Sequence, residues 1–69
     1  MSEQRYELRV RGQVGPTIVA SFDGWESETS ADATVLRGPV RDQSELHGLI
    51  DRVQDLGLEL IEVRRLREA

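Results

Sequence analysis

Apolar and polar positions alternate strictly from Arg5 to Arg11, with Tyr6, Leu8 and Val10 on one side and Glu7, Arg9 and Arg11 on the other. A period of two marks a strand with one buried face. Gly12 ends the run, so the pattern predicts a first strand over 5–11. In the next stretch Val14, Ile18, Val19 and Phe22 recur at helical spacing, while Ile18, Ala20 and Phe22 also satisfy alternation. Pro16 favours the helix, because a proline in the first turn loses no hydrogen bond. Gly24 stands where such a helix would close after two turns. A short helix is expected over about 15–23; were it a strand, the fold would become a meander followed by one helix and a strand.

Residues 25–40 predict two strands around a turn at 30–32, the first amphipathic through Trp25 and Thr29, the second built on Thr34, Val35 and Leu36. Gly38-Pro39 is expected to end this hairpin. Asp23, Glu26, Glu28 and Asp32 have no base among them, which predicts a solvated edge that resists strand addition. Asp42 then begins the clearest helical signature, with Glu45 three residues on completing a capping box. Leu46, Leu49, Ile50, Val53 and Leu56 form one apolar stripe, and Gly57 followed by Leu58 suits a left-handed cap. A helix over 42–56 follows. The final strand, over 58–66, has Leu58, Leu60 and Leu66 on one parity and Ile61 and Val63 on the other. Apolar residues on both faces of a strand in so small a chain indicate a partner surface or a bulge.

The order β-α-β-β-α-β predicts an α+β, ferredoxin-like fold: a four-stranded antiparallel sheet of order 4-1-3-2 with both helices on one face. The chain, 1–69, reads as a single domain with an ordered core over about 5–66. A domain of this length buries only about 60% of its unfolded surface, so self-association can contribute to its stability.

Composition narrows the function classes. There is no cysteine, which removes disulfide, thiol and zinc-knuckle chemistry. The net charge is -4, from 13 acids against 9 bases, all of them arginine. That balance argues against a general nucleic-acid binder, whose affinity rests on neutralising phosphates. An RNA-recognition sheet would also need stacking aromatics on its open face, and Tyr6 lies on the apolar side. No apolar run reaches the length of a membrane span, and Met1-Ser2-Glu3-Gln4 lacks the basic-then-apolar order of a secretion signal. A cytoplasmic protein with no membrane partner is expected.

Ser44, His47 and Asp51 lie at i, i+3 and i+7 of the second helix and superficially offer a nucleophile, a base and an orienting acid. Side chains on one helix run roughly parallel, however, and no glycine-rich turn nearby supplies oxyanion donors. His47, Asp51 and Asp55 at successive i+4 steps would bring a metal too few ligands without a third element. No catalytic residue, metal site or cofactor is therefore expected, and the protein reads as not an enzyme. On the sheet's charged face, Glu7, Arg9 and Arg11 with Glu62 and Arg64 or Arg65 have mixed signs, which favours pairing across strands.

The strings YELRVRG and TVLRGPVRDQSELHGLIDRVQDLGLELIEVRRL resemble a family of short uncharacterised actinobacterial proteins. The resemblance spans roughly 5–66 and implies a cytoplasmic bacterial protein without an assigned activity. More distantly, the element order is similar to ACT-type regulatory domains, which implies side-by-side pairing and a small-molecule site after the first strand. Two functional expectations follow. The first is a non-enzymatic interaction or assembly module that self-associates as a homo-oligomer, such as a dimer, or binds a protein partner, with Leu60, Leu66, Arg9, Arg11 and Arg64 as interface residues. The alternative is an ACT-like ligand-binding domain using the loop of Gly12, Gly15 and Thr17 together with the second helix's N-terminus at 42–45.

Overall fold

The structure, a computed structural model, describes residues 4–66. Along the chain lie β1 (Gln4–Arg11), α1 (Pro16–Ala20), β2 (Glu26–Thr29), β3 (Ala33–Val40), α2 (Gln43–Asp55) and β4 (Leu60–Leu66). All adjacent strands pair antiparallel in the order β2-β3-β1-β4, which from the opposite edge reads β4-β1-β3-β2. The fold is α+β, an open four-stranded antiparallel sheet with two helices.

Alternation in β1 sends Tyr6, Leu8 and Val10 to one face, where they stand opposite Gly38, Leu36 and Thr34 of β3. Leu8, Val10, Val14, Phe22, Leu36 and Val53 form the main core, with Ile18 and Val19 of α1 and Leu49 of α2 packed against it. Tyr6, Val40 and Leu46 form a second cluster, and Trp25 touches both. Side chains from both helices thus pack on the side of the sheet that carries Tyr6, Leu8 and Val10.

The second helix ends as its sequence dictates. Asp42 caps it, its carboxylate accepting from the Glu45 N–H at 2.9 Å. Glu45 answers on the residue before the cap, accepting from the Arg41 N–H at 2.7 Å. At the C-terminus Gly57 takes φ 80°, Leu58 N–H donates to Val53 and Gly57 N–H to Gln54. This is a Schellman pair, with Leu58 packing on the same core as Val53.

The first helix is shorter than the expected 15–23. Ser21 N–H donates to Ile18 and Phe22 N–H to Val19, and the Ser21 hydroxyl bonds the Ile18 carbonyl at 2.6 Å. These tighter bonds compete with helix continuation. Gly24, at φ 82°, serves a turn closed by Trp25 N–H onto Phe22.

The hairpin also departs from expectation, because β3 runs through Gly38-Pro39 to Val40. Two features permit it. Pro39 lies beyond Arg37, the residue of β3 that meets the start of β2, so it pairs on one flank only. Gly38 leaves room for Trp25, whose ring fills the space that a Cβ at that position would occupy.

In β4 the pairing shifts register: Arg9 faces Glu62 but Val10 faces Leu60, leaving Ile61 as a bulged residue. The bulge accounts for part of the two-sided pattern, returning Leu60 to the core while Ile61 stays exposed. Leu60 and Val63, three residues apart, share the helix-covered face, whereas Glu62, Arg64 and Leu66 share the other.

Candidate functional site

The open face of the sheet carries a lattice of alternating charge. Strand alternation places Glu26 and Glu28 of β2, Arg37 of β3, Arg5, Glu7 and Arg9 of β1, and Glu62 and Arg64 of β4 on this face. At its centre the Glu7 side chain is only 4% exposed. Its Oε1 accepts from Arg37 Nε at 3.0 Å and its Oε2 from Arg64 at 3.1 Å. Arg37 reaches on to Glu28 at 3.2 Å, and the hydrogen bonds to Glu7 and then Glu28 raise its guanidinium pKa above the ordinary value. Looser pairs join Arg5 to Glu26 and Arg9 to Glu62, each at 3.8 Å.

This lattice explains how a sheet face without helices still buries Val35 and Ala33. Long arginine stems cover apolar area while their charged heads remain at the surface. The cross-strand pairing expected from mixed signs is present in Arg9 with Glu62 and Arg64 with Glu7, whereas Arg65 stands on the other face opposite Tyr6, and Arg11 pairs at 2.9 Å with Glu59, just before β4.

The proposed interface residues separate. Arg9, Arg11 and Arg64 remain partly exposed within their ion pairs. Leu66 is half-buried on the open face, and Leu60 turns towards the core. Among the described residues the exposed large apolar ones are Leu56, Ile61 and Val63, at 42%, 45% and 36%. Ile61 and Val63 belong to the edge strand β4, and Leu56 stands at the end of α2.

The expected ligand loop is not joined to the second helix's N-terminus. Gly12, Gly15 and Thr17 follow β1 at the end of the sheet where β3 begins, and Asp42 and Glu45 follow the end of β3. An eight-residue strand separates them, a rise of about 23 Å. The loop's polar groups also serve the fold. Buried Thr34 donates through Oγ1 to the Gly12 carbonyl at 2.9 Å and accepts from Val14 N–H at 3.2 Å, while Gly12 N–H donates to Asp32. Gly15 and Thr17 are exposed.

At the opposite end lies an open cleft of about 370 Å³ lined by Phe22, Trp25, Pro39, Leu49 and the polar Ser21, Asp23, Arg41, Glu45 and Arg52. Phe22 and Trp25 meet edge to face at 6.2 Å, and the Arg52 guanidinium sits 5.4 Å over the Phe22 ring. Sequence reasoning missed this cleft. No local signal marks it: Trp25 and Gly38 are distant in the chain, and their contact exists only once the strand register brings them together.

Ser44, His47, Asp51 and Asp55 are all exposed on α2. Among the described residues no group of three or more metal-ligating side chains comes together, and no helix is long and apolar enough to cross a membrane.

Fold and surface define a small α+β domain with a cross-strand charge lattice on one sheet face and exposed apolar residues on the β4 edge and at the end of α2. It is a member of a recognised family: a model described as a domain of unknown function (DUF8691) matches residues 5–64, and the chain belongs to that family. No curated protein and no solved structure matches it.

Proposed function

We propose that the chain is a non-enzymatic interaction module of ferredoxin-like architecture that self-associates through its β4 edge. The strand order read from β4 supports the architecture. The observation that carries the function is the contrast between the two edges. β4 extends over seven residues and exposes Ile61 and Val63, whereas β2 has four residues, Glu-Ser-Glu-Thr, none of them apolar. An open edge offers unpaired backbone donors and acceptors to another strand, and acids on an edge discourage it. The exposed placement of His47 on a helix face supports a non-catalytic reading. A cytoplasmic bacterial setting belongs to the same reading and is supported by the sequence resemblance.

Sedimentation equilibrium from about 1 µM to 1 mM tests it, a range chosen because an interface below standard size binds weakly. A concentration-dependent shift from monomer to dimer is expected. A monomer throughout would defeat the proposal.

The aromatic cleft favours a second reading, small-molecule binding, with an apolar group against Trp25 and a carboxylate towards Arg52. Trp25 is the single tryptophan, so its fluorescence titrated with an amino-acid panel reports directly on the cleft. An unchanged spectrum across the panel would count against it.

A further inference from the structure

Resting on the self-association reading, we infer that the partner of the β4 edge is β4 of a second copy, antiparallel and centred on Val63. Two observations point to this register. First, the charge rows of the open face end at β4 with opposite signs. One row runs Glu26, Arg37, Glu7, Arg64 and ends positive; the neighbouring row runs through Arg9 to Glu62 and ends negative. A two-fold axis at Val63 sets Glu62 opposite Arg64 of the second copy, and Arg64 opposite its Glu62. Each row then continues across the boundary with its sign still alternating: Glu7, Arg64, then Glu62 and Arg9 of the second copy. Opposite charges directly across a strand pair stabilise it, and like charges destabilise it.

Second, Val63 lies on the helix-covered face opposite Leu8 and yet is 36% exposed. At the two-fold it meets its own counterpart, covering an apolar residue that the single copy leaves open. Shifting the register by one residue would place Val63 against a charged residue and send its neighbours to the wrong face. The bulge at Ile61 limits the regular ladder to a few residues on either side of Val63, so the pair is expected to be reversible rather than permanent.

The decisive experiment mixes two charge variants. In Glu62→Arg alone, the introduced arginine faces Arg64 of the second copy; in Arg64→Glu alone, the introduced glutamate faces Glu62 of the second copy. Each variant by itself is expected to raise the dimer Kd about tenfold or more. In an equimolar mixture the two like-charge contacts are replaced, one by arginine against glutamate in introduced positions and the other by the native pair, and the heterodimer is expected to recover most of the wild-type affinity. Each variant also disturbs a pair within its own chain, with Arg9 or with Glu7, so circular dichroism accompanies the sedimentation runs.

A second readout touches no ion pair. The chain has no cysteine, so Val63→Cys introduces a single thiol whose Cα would lie about 4.5–5.5 Å from its counterpart in an antiparallel pair, within disulfide reach. Diamide should convert this variant to a covalent dimer much faster than Ser44→Cys, an exposed control on α2. A wild-type dimer that shows neither recovery on mixing nor faster cross-linking of Val63→Cys would overturn this register while leaving self-association standing. A wild-type monomer would overturn both.

Discussion

Glu7 shows at the scale of one residue how a carboxylate is tolerated in the middle of a sheet. Both of its oxygens are occupied, one by Arg37 and one by Arg64, and among the described residues no buried side-chain polar atom lacks a partner. Its two arginines differ in what they could lose. The Arg37 side chain is 35% exposed and spans two carboxylates, whereas that of Arg64 is 58% exposed. Glu7→Gln is therefore expected to cost about 1–3 kcal/mol in urea unfolding, since charge-assisted bonds to a buried group are removed. Arg64→Ala should cost less, about 1 kcal/mol, because Arg37 still holds one Glu7 oxygen and removal of the largely solvated Arg64 side chain opens the other to water. Equal losses from the two substitutions would contradict the central position of Glu7.

Among the elements, those with short-range instructions were legible in the sequence. α2 is written in its cap, stripe and terminal glycine, and β1 in its alternation, so both lie where periodicity put them. α1 and the end of β3 were not, because their limits depend on partners distant in the chain. Nothing near Gly38-Pro39 says that β2 stops short and that Trp25 needs the space over Gly38. The bulge was one of two readings of an ambiguous strand, and it became visible only in the pairing of Val10 with Leu60. The candidate ligand loop shows the same gap: local glycines suggested a site, but topology set Gly12 and Asp42 at opposite ends of the sheet. Two glycines of α2 and its cap illustrate how local conformation decides outcome. Gly48 lies within the helix with nothing within 4 Å of the place a Cβ would take, whereas Gly57 holds φ 80°. Gly48→Ala is expected to raise stability by about 0.5–1 kcal/mol, and Gly57→Ala to lower it by about 1 kcal/mol. Thermal or chemical denaturation of the two variants checks the opposite signs.

For the molecule as a whole, apolar packing and surface charge have separable duties. The core of Leu8, Val10, Leu36 and Val53 lies under the helices, while most of the ion pairs are at least partly exposed on the other side. Salt near 1 M shortens the screening length to about 3 Å. It is expected to weaken the proposed self-association at the β4 edge clearly while moving the melting temperature by only a few degrees, as followed by sedimentation and calorimetry in parallel. An unfolding transition that collapsed in high salt would show that the charge lattice, and not the core, holds the domain together. On the proposed β4 pairing, the inequality of the two edges would also limit how far assembly can go. A pair joined at β4 presents β2 at both of its outer margins, each four residues long and lined with glutamates, so neither margin invites another strand. Growth would stop at eight strands, and a chain whose sheet is open at both sides would still have a valence of one, protected from filament formation by the placement of two acidic residues.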